Sequence, residues 1–239
     1  MKPSSTMITT LRTIAKRTNA GLLFGIINRP DHIVRAYGQT DKLSHGYMPY
    51  YQRHFGPLRS RKNLVIEIGV GGFEAVLPGG SLRVWRDYFS RSTIIGLDLH
   101  EKNVQLGSRV VFRQADQSSH EDLGRVVGEF GAPNIVIDDG SHIGRHIYAS
   151  FEFLFPKMPS GSWYVIEDLS TSFEPDCEGG NPPPQSSAVG LLKTLACDVQ
   201  SLDPAYSQDL SWIGQAPTPI YSAIAELHVY PGIAFILKA

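Results

Sequence analysis

Two pairs of adjacent carboxylates stand where short apolar runs of the sequence end. Asp138 and Asp139 follow Ile-Val-Ile, and Glu167 and Asp168 follow Trp-Tyr-Val-Ile. Runs of this kind are typical of buried parallel strands that carry polar groups to one edge of a sheet. The ends of neighbouring parallel strands lie about 4.8 Å apart. The four carboxylates would then share one crevice, where a cation or a shared proton must offset their repulsion.

These residues also have simpler interpretations. Asp139 could cap the helix after its strand, because an aspartate side chain accepts hydrogen bonds from the first amides of a helix. The second acidic pair makes a metal site the favoured interpretation. His142 follows three positions after Asp139. It could act as a general base near neutral pH, or it could be an ordinary capping or surface residue.

A glycine-rich turn follows the first strong strand of the sequence. That strand, Leu64–Ile68, contains Glu67 and leads directly to Gly69 and Gly71. Glycines at this point allow a tight turn and the close approach of a ligand to the backbone. The sixth position of the dinucleotide fingerprint is Glu74, so the fingerprint fails. The acidic residue before the turn favours S-adenosylmethionine over nicotinamide cofactors.

Polar residues at the ends of the next two strands extend this nucleotide-type pattern. Asp98 ends the second strand, where a carboxylate can accept two hydrogen bonds from a ribose diol. Asp116 and Gln117 follow the third strand, and a carboxylate with an amide can bind the amine and ring nitrogens of adenine. These three residues are therefore candidates for cofactor binding.

The order of elements predicts an α/β fold. Strands and helices alternate as far as the acidic edge, and a helix is predicted near residues 189–200. Two final strands are joined by Pro231-Gly232, which predicts an antiparallel hairpin. A loop over 170–187 is rich in glycine, proline and serine and lacks periodicity, so it is a candidate substrate loop. Residues 1–40 are predicted to be a helical arm for packing or oligomer contact.

Composition narrows the functional classes. The 239 residues carry 22 basic and 23 acidic side chains, for a net charge of -1, which argues against a nucleic-acid partner. No apolar stretch reaches the length of about 20 residues that a membrane span needs. Cys177 and Cys197 lack metal-ligand spacing, so two free thiols in a cytoplasmic protein are expected.

A set of short motifs resembles those of the macrolide-sugar O-methyltransferases, which include the mycinamicin and tylosin deoxysugar enzymes. A mycobacterial methyltransferase of methylmannose polysaccharide synthesis looks similar. The combination of Asp-Asp-Gly-Ser-His with Ile-Glu-Asp is specific at this spacing, whereas the glycine turn alone is not. The similarity spans roughly residues 40–180 and the closing hairpin. The motifs lie at Asp41-Lys42, His45-Gly46-Tyr47, Glu67 to Gly72, Gly80-Ser81-Leu82 with Trp85, Gly96 to Asp98, Asp116-Gln117, Asp138 to His142 and Ile166 to Asp168.

The resemblance implies a Rossmann-like class I methyltransferase fold over residues 41–239, with a seven-stranded, mostly parallel sheet whose C-terminal hairpin is antiparallel. It implies Mg²⁺ held by Asp139, Glu167 and Asp168, with His142 as the general base. Oxygen ligands without cysteine suit such a hard cation. It also implies an S-adenosylmethionine site that includes Tyr47, Glu67, Gly69, Gly71, Ser81, Asp98, Asp116, Gln117 and Asp138.

We therefore expect a cytoplasmic, Mg²⁺-dependent O-methyltransferase that acts on a sugar hydroxyl of a glycan or glycosylated natural product. A homo-oligomer is expected, with a dimer favoured. Methylation of a catechol-like molecule is the enzymatic alternative, because vicinal phenolic hydroxyls chelate the same metal. A non-catalytic cofactor-binding scaffold is the alternative from another class.

Overall fold

The computed structural model describes residues 40–71, 78–201 and 223–239. The predicted arm over residues 1–40 lies outside this part of the chain, apart from Thr40. The chain divides into two compact units, residues 1–114 and residues 115–239. Among the described residues, no helix is long and apolar enough to cross a membrane.

In its described residues, the first unit contains three parallel strands and two α-helices. Its elements are α1 (Met48–Phe55), β1 (Leu64–Ile68), α2 (Gly80–Tyr88), β2 (Thr93–Asp98) and β3 (Val110–Gln114). In the register, Glu67 of β1 pairs with Gly96 of β2, and Asp98 pairs with Gln114 of β3. This register brings Glu67 and Asp98 toward the C-terminal ends of neighbouring strands.

Aromatic packing holds the helices of the first unit together. The ring of Tyr51 lies 4.8 Å from that of Trp85, and Phe55 lies 5.6 Å from Phe89. All four of these side chains are fully buried. Tyr51 and Phe55 are therefore core residues that connect α1 to α2.

The second unit contains the acidic strands and the hairpin. Its elements are α3 (His120–Phe130), β4 (Ile135–Asp138), α4 (Gly144–Leu154), β5 (Trp163–Ile166), α5 (Ala188–Ser201), β6 (Ile224–Tyr230) and β7 (Ile233–Lys238). Strands β4 and β5 are parallel, β7 runs antiparallel to β5, and β6 runs antiparallel to β7. The turn of the hairpin is possible because Gly232 adopts a φ of 79°.

The seven strands form one sheet in the order β3-β2-β1-β4-β5-β7-β6. The predicted fold class is confirmed, including the antiparallel C-terminal hairpin. Strand β3 begins at Val110, one residue later than the sequence pattern indicated. The segment predicted as an irregular loop contains two short 3-10 helices, Leu169–Phe173 and Pro175–Cys177.

Candidate active site

The glycine-rich turn after β1 is held by backbone hydrogen bonds. Gly69 N donates to Leu97 O at 2.8 Å, and Gly79 N donates to Val70 O at 2.8 Å. Gly69 and Gly71 have φ values of 83° and 65°, which L side chains rarely adopt. A Cβ added at Gly71 would meet no atom within 4 Å. The requirement for glycine at position 71 is therefore conformational, and among the described residues none fills the space beside it.

Glu67 is fully buried and is surrounded by donors. Ser81 Oγ donates to its Oε2 at 2.7 Å, Trp85 Nε1 donates to its Oε1 at 3.1 Å, and Lys42 Nζ lies 3.3 Å from Oε1. Lys42 itself is only 1% exposed. The sequence analysis assigned no partner to Lys42, and the structure pairs it with Glu67. Burying the charge of Lys42 or Glu67 alone would cost free energy, and the attraction between the two opposite charges offsets that cost.

Tyr47 stands at the start of α1 and is 4% exposed. Its ring makes an edge contact with His45, with 5.4 Å between the ring centres. Tyr47, Glu67 and Ser81, three predicted contacts of the cofactor, thus all belong to the first unit. The structure shows Ser81 and Glu67 bonded to each other.

Asp98 ends β2 beside the glycine-rich turn. Its Oδ2 accepts from Val70 N at 3.4 Å, and its Oδ1 accepts from His100 N at 3.0 Å. Lys102 Nζ lies 3.9 Å from Oδ1. The carboxylate therefore links the turn after β1 to the end of β2, which is the position predicted for a ribose-binding acid.

The two acidic strand ends of the second unit meet as the sequence predicted for parallel neighbours. The pairing of Asp138 with Ile166 continues through a hydrogen bond from Glu167 N to Asp138 O at 3.0 Å. Asp139 and Glu167 consequently offer carboxylate oxygens within 4.8 Å of each other. Glu167 is buried, whereas Asp139 is partly exposed.

His142 and Asp168 complete this group. His142, Asp139 and Asp168 each offer one polar atom within 4.8 Å of the others, and His142 Nε2 lies 3.7 Å from Asp168 Oδ2. Both residues have left-handed backbones, with φ values of 59° and 53°. Strained backbone at non-glycine residues concentrates at functional sites. The geometry therefore places Asp139 close to Glu167 on one side and to His142 and Asp168 on the other, and we call these four residues the acidic cluster.

Helix capping does not explain Asp139. Helix α4 begins at Gly144, and the side chain of its N-cap residue, Ile143, makes no capping hydrogen bond. Neither Asp139 nor His142 is therefore the N-cap residue of this helix.

Asp138 occupies a different environment from its neighbour Asp139. It is 2% exposed and accepts hydrogen bonds from Gln117 Nε2 at 3.0 Å, Ser150 Oγ at 2.7 Å and Tyr164 Oη at 3.0 Å. Burial raises the pKa of the Asp138 carboxyl, and the three donors act against that rise. Burial and the nearby Asp138 hold the pKa of Tyr164 well above its usual value.

Asp116 and Gln117 are both engaged by nearby groups. Asp116 Oδ1 accepts from Ser118 N at 2.8 Å and from Ser118 Oγ at 2.7 Å. Gln117 is buried, and its Oε1 accepts from Ser141 N at 2.8 Å. Asp116 is partly exposed. The amide nitrogen and oxygen of Gln117 are both hydrogen-bonded within the second unit, to Asp138 and Ser141.

The segment over 170–187 packs closely on its neighbours. A Cβ added at Gly144 would clash with Ser186 O, one at Gly190 would clash with Gln185 O, and one at Gly179 would clash with Ser172 O. An ion pair between Arg145 and Glu178 joins the segment to α4. These contacts need glycine at the three positions, because any side chain there would push the segment away.

Comparison with known proteins identifies the relatives of this chain. It is 37% identical over 195 residues to 8-demethyl-8-alpha-L-rhamnosyl tetracenomycin-C 2'-O-methyltransferase of Streptomyces olivaceus, a match that covers 81% of this chain and 50% of that protein. It is 40% identical over 198 residues to mycinamicin VI 2''-O-methyltransferase of Micromonospora griseorubida, covering 81% and 48%. The predicted resemblance to macrolide-sugar O-methyltransferases is confirmed.

A solved structure agrees with the sequence relatives. The mycinamycin-pathway methyltransferase MycE, in complex with Mg, S-adenosylhomocysteine and mycinamycin VI, aligns with a TM-score of 0.72 at 33% identity. The alignment covers 87% of this chain and 56% of MycE. No family model matches the chain. The chain spans about half the length of the curated relatives it matches.

The acidic cluster has the donor chemistry of a site for a hard cation. It offers the carboxylates of Asp139, Glu167 and Asp168 and the imidazole of His142, with Asp139 close to each of the other three, and neither cysteine belongs to it. Oxygen-rich ligand sets of this kind suit Mg²⁺ and Ca²⁺ better than softer metals. A divalent cation would also offset the repulsion between the carboxylates of Asp139, Glu167 and Asp168.

Three residues of these sites escaped the sequence analysis. Lys42 pairs with Glu67 across 25 positions, and Ser150 and Tyr164 bond to Asp138 across 12 and 26 positions. Tyr164 falls within a run that reads as an apolar strand, and Ser150 falls within a helix. A buried acid such as Asp138 requires donors, which is the one signal that could have prompted a search for them.

Proposed function

We propose that this chain is an S-adenosylmethionine- and Mg²⁺-dependent O-methyltransferase that acts on a sugar hydroxyl. The observation that carries the proposal is that Asp139, after β4, lies close to Glu167 after β5 and also to Asp168 and His142. The named activities of the relatives support the same reaction class. MycE, with its bound Mg and S-adenosylhomocysteine, supports the same pair of cofactors.

In this proposal, Asp139, Glu167 and Asp168 hold the Mg²⁺. When bound, the ion would make a coordinated sugar hydroxyl more acidic. An all-carboxylate set neutralises the charge of a divalent cation and leaves positions open for two neighbouring hydroxyls. Such a site favours acceptors with vicinal hydroxyl groups, which sugars supply.

His142 is the proposed general base. Its Nε2 lies 3.7 Å from Asp168 Oδ2 and would take the proton of the acceptor hydroxyl. The neighbouring carboxylate stabilises the imidazolium that results. An alcohol is a weak nucleophile, so proton removal contributes typically about 10²- to 10⁴-fold to the rate.

The cofactor-binding residues are also proposals. Gly69 and Gly71 would admit the methionine and ribose portion beside the turn, and Asp98 would bind the ribose diol. The carboxylate of Asp116 would bind the adenine. Tyr47 and Ser81 are proposed for the amino-acid end, with Glu67 holding Ser81 in place.

Three further features of the protein are predictions: its domain boundaries, its location and its assembly. We propose residues 41–239 as the methyltransferase domain, with 170–187 contributing to acceptor binding. A cytoplasmic location is also proposed. A homo-oligomer, with a dimer favoured, is proposed as the assembly, and sedimentation equilibrium would test it.

The experiment that tests the function measures release of S-adenosylhomocysteine with a panel of glycosides. It is run with Mg²⁺, with chelator, and after Mg²⁺ is restored. His142→Ala and Asp139→Ala are assayed in parallel, with Tyr50→Phe as a control outside the cluster. Turnover that needs the metal and is lost in both site variants is expected. Turnover that survives chelation and both substitutions would contradict the mechanism.

A further inference from the structure

A connected set of hydrogen bonds next to the acidic cluster joins Asp138, Gln117, Ser150 and Tyr164. We infer that this set is a positioning network, which holds the turn over 139–142 so that Asp139 and His142 face the proposed metal and acceptor. The inference rests on the proposed function and deepens it. It gives Gln117 and Asp138 a role other than the cofactor contact that the family resemblance implies.

The network begins at a buried carboxylate. Asp138 Oδ2 accepts from Ser150 Oγ at 2.7 Å and from Tyr164 Oη at 3.0 Å, and these two hydroxyls lie 2.9 Å apart. Ser150 and Tyr164 are fully buried. One carboxylate oxygen is therefore fixed from helix α4 and from strand β5 at once, so the orientation of Asp138 is determined by two elements of the fold.

Gln117 carries this orientation to the turn. Its Nε2 donates to Asp138 Oδ1 at 3.0 Å, and its Oε1 accepts from Ser141 N at 2.8 Å. A backbone N–H only donates, so Gln117 must present its oxygen to Ser141 N and its amino group to Asp138. Turning it over would break both hydrogen bonds, which makes Gln117 a directional link between Asp138 and Ser141.

Ser141 lies between the two residues that the mechanism uses. Its side chain adds a second attachment, because Oγ lies 2.9 Å from His146 Nδ1 and accepts from Ile143 N at 3.3 Å. The left-handed backbone of His142, with a φ of 59°, needs such support. Fixing Ser141 N therefore fixes the directions in which Asp139 and His142 leave the turn.

Exchanging donor and acceptor in the hydrogen bond between Gln117 and Asp138 tests the network. Gln117→Glu keeps an acceptor for Ser141 N but places a second carboxylate against Asp138. Adding Asp138→Asn restores the link, because the new amide can donate to the introduced carboxylate while its oxygen accepts from Ser150 and Tyr164. The double variant has the same net charge as the unsubstituted protein.

Two affinities and one rate are measured for each protein. The affinity for S-adenosylhomocysteine is measured by calorimetry without metal, and the affinity for Mn²⁺ is measured by titration. The rate constant kcat is measured with the best glycoside. For Gln117→Glu, we expect Mn²⁺ affinity and kcat to fall at least tenfold, the range of about 10- to 100-fold typical of outer-shell partners. The affinity for S-adenosylhomocysteine should change less than about threefold, and the double variant should recover most of the loss.

A tenfold loss of S-adenosylhomocysteine affinity in both variants, with Mn²⁺ affinity intact, would overturn the inference, because Gln117 would then contact the cofactor directly. Tyr164→Phe provides a milder test should Gln117→Glu fold poorly. Its matched control is Tyr88→Phe, another fully buried tyrosine, whose hydroxyl donates to Gln52 at 3.1 Å in the first unit. Equal effects of the two substitutions on Mn²⁺ affinity would also overturn the inference.

Failure of the proposed function would be recognised separately. An unsubstituted protein that binds no Mn²⁺ would contradict the metal mechanism before any variant is made, and the inference would fall with it. The network is supported if only Gln117→Glu and Tyr164→Phe lose Mn²⁺ binding and the double variant recovers it.

Discussion

His142 Nε2 lies 3.7 Å from Asp168 Oδ2, and both residues hold left-handed backbone conformations. The chain thus places its proposed base and one proposed metal ligand on strained backbone, at the ends of two neighbouring strands. A left-handed backbone costs an L residue roughly 1–2 kcal/mol. That cost is tolerated where the surrounding structure fixes the conformation and function benefits from it.

Replacing His142 should separate strain from chemistry. His142→Ala keeps the backbone strain, whereas His142→Gly relieves it, so we expect the glycine variant to be more stable by about 1 kcal/mol in urea unfolding. Both variants should lose turnover. An alanine variant as stable as the glycine variant would show that the turn relaxes when the imidazole is removed.

Lys42 should matter to stability because it is buried opposite Glu67. Lys42→Met leaves the fully buried carboxylate without its cationic partner, and breaking such a pair costs about 3–5 kcal/mol. Adding Glu67→Gln should recover a large part of that loss. Urea unfolding of the single and double variants measures the coupling, and a small effect of Lys42→Met alone would contradict this account.

Gly96 allows β2 to approach the glycine-rich turn. A Cβ at this position would lie 2.5 Å from Leu82 Cδ1 and 2.8 Å from Val70 Cγ1. Gly96→Ala should therefore cost about 1–3 kcal/mol and weaken S-adenosylhomocysteine binding, since Val70 would have to shift.

Gly128 is the matched control for this substitution, because it lies within α3 with open space around its Cα. Gly128→Ala should stabilise the protein by up to about 1 kcal/mol through helix propensity. Cofactor affinity should be unchanged. Similar losses in the two variants would argue against steric crowding at Gly96.

Alkaline pH should destabilise the protein through Tyr88. Burial raises the pKa of this tyrosine to about 12 from its ordinary value of 10.0. Between these pH values the unfolded chain releases the phenolic proton and the folded chain keeps it, so folding stability falls as pH rises. The stabilisation is complete below pH 10 and is lost toward pH 12.

Tyr88→Phe removes this contribution, so its unfolding free energy should fall less steeply between pH 10.0 and about pH 12 than that of the unsubstituted protein. Tyr50→Phe, at a partly exposed site, is the control. Parallel pH profiles for the unsubstituted protein and Tyr88→Phe would contradict the assignment.

Much of the fold could be predicted from local patterns. Apolar runs ending in Glu67, Asp98, Asp139 and Glu167 mark the parallel strands, because burial on both faces removes polar residues from their middles. The Pro-Gly turn marks the hairpin. The 3-10 helices after Asp168 were missed, because turns of three to five residues leave no periodic signal.

The partners of buried groups were harder to predict. The sequence identifies Asp138 and Gln117 as polar residues at strand ends, but it cannot tell whether they face a ligand or each other. Ser150 and Tyr164 come close to Asp138 only after helix α4 folds back onto the sheet. Long-range contacts of this kind depend on tertiary packing and leave no spacing in the chain.

The central claim is metal-dependent methyl transfer to a sugar oxygen, and the most direct measurement follows an isotopically labelled methyl group from S-adenosylmethionine. Glycosides with vicinal free hydroxyls and a simple catechol are offered separately, with Mg²⁺ and with chelator, and the labelled atom is located by NMR. The account predicts label on a sugar oxygen only when Mg²⁺ is present. Label on the catechol alone, or transfer that persists in chelator, would contradict it.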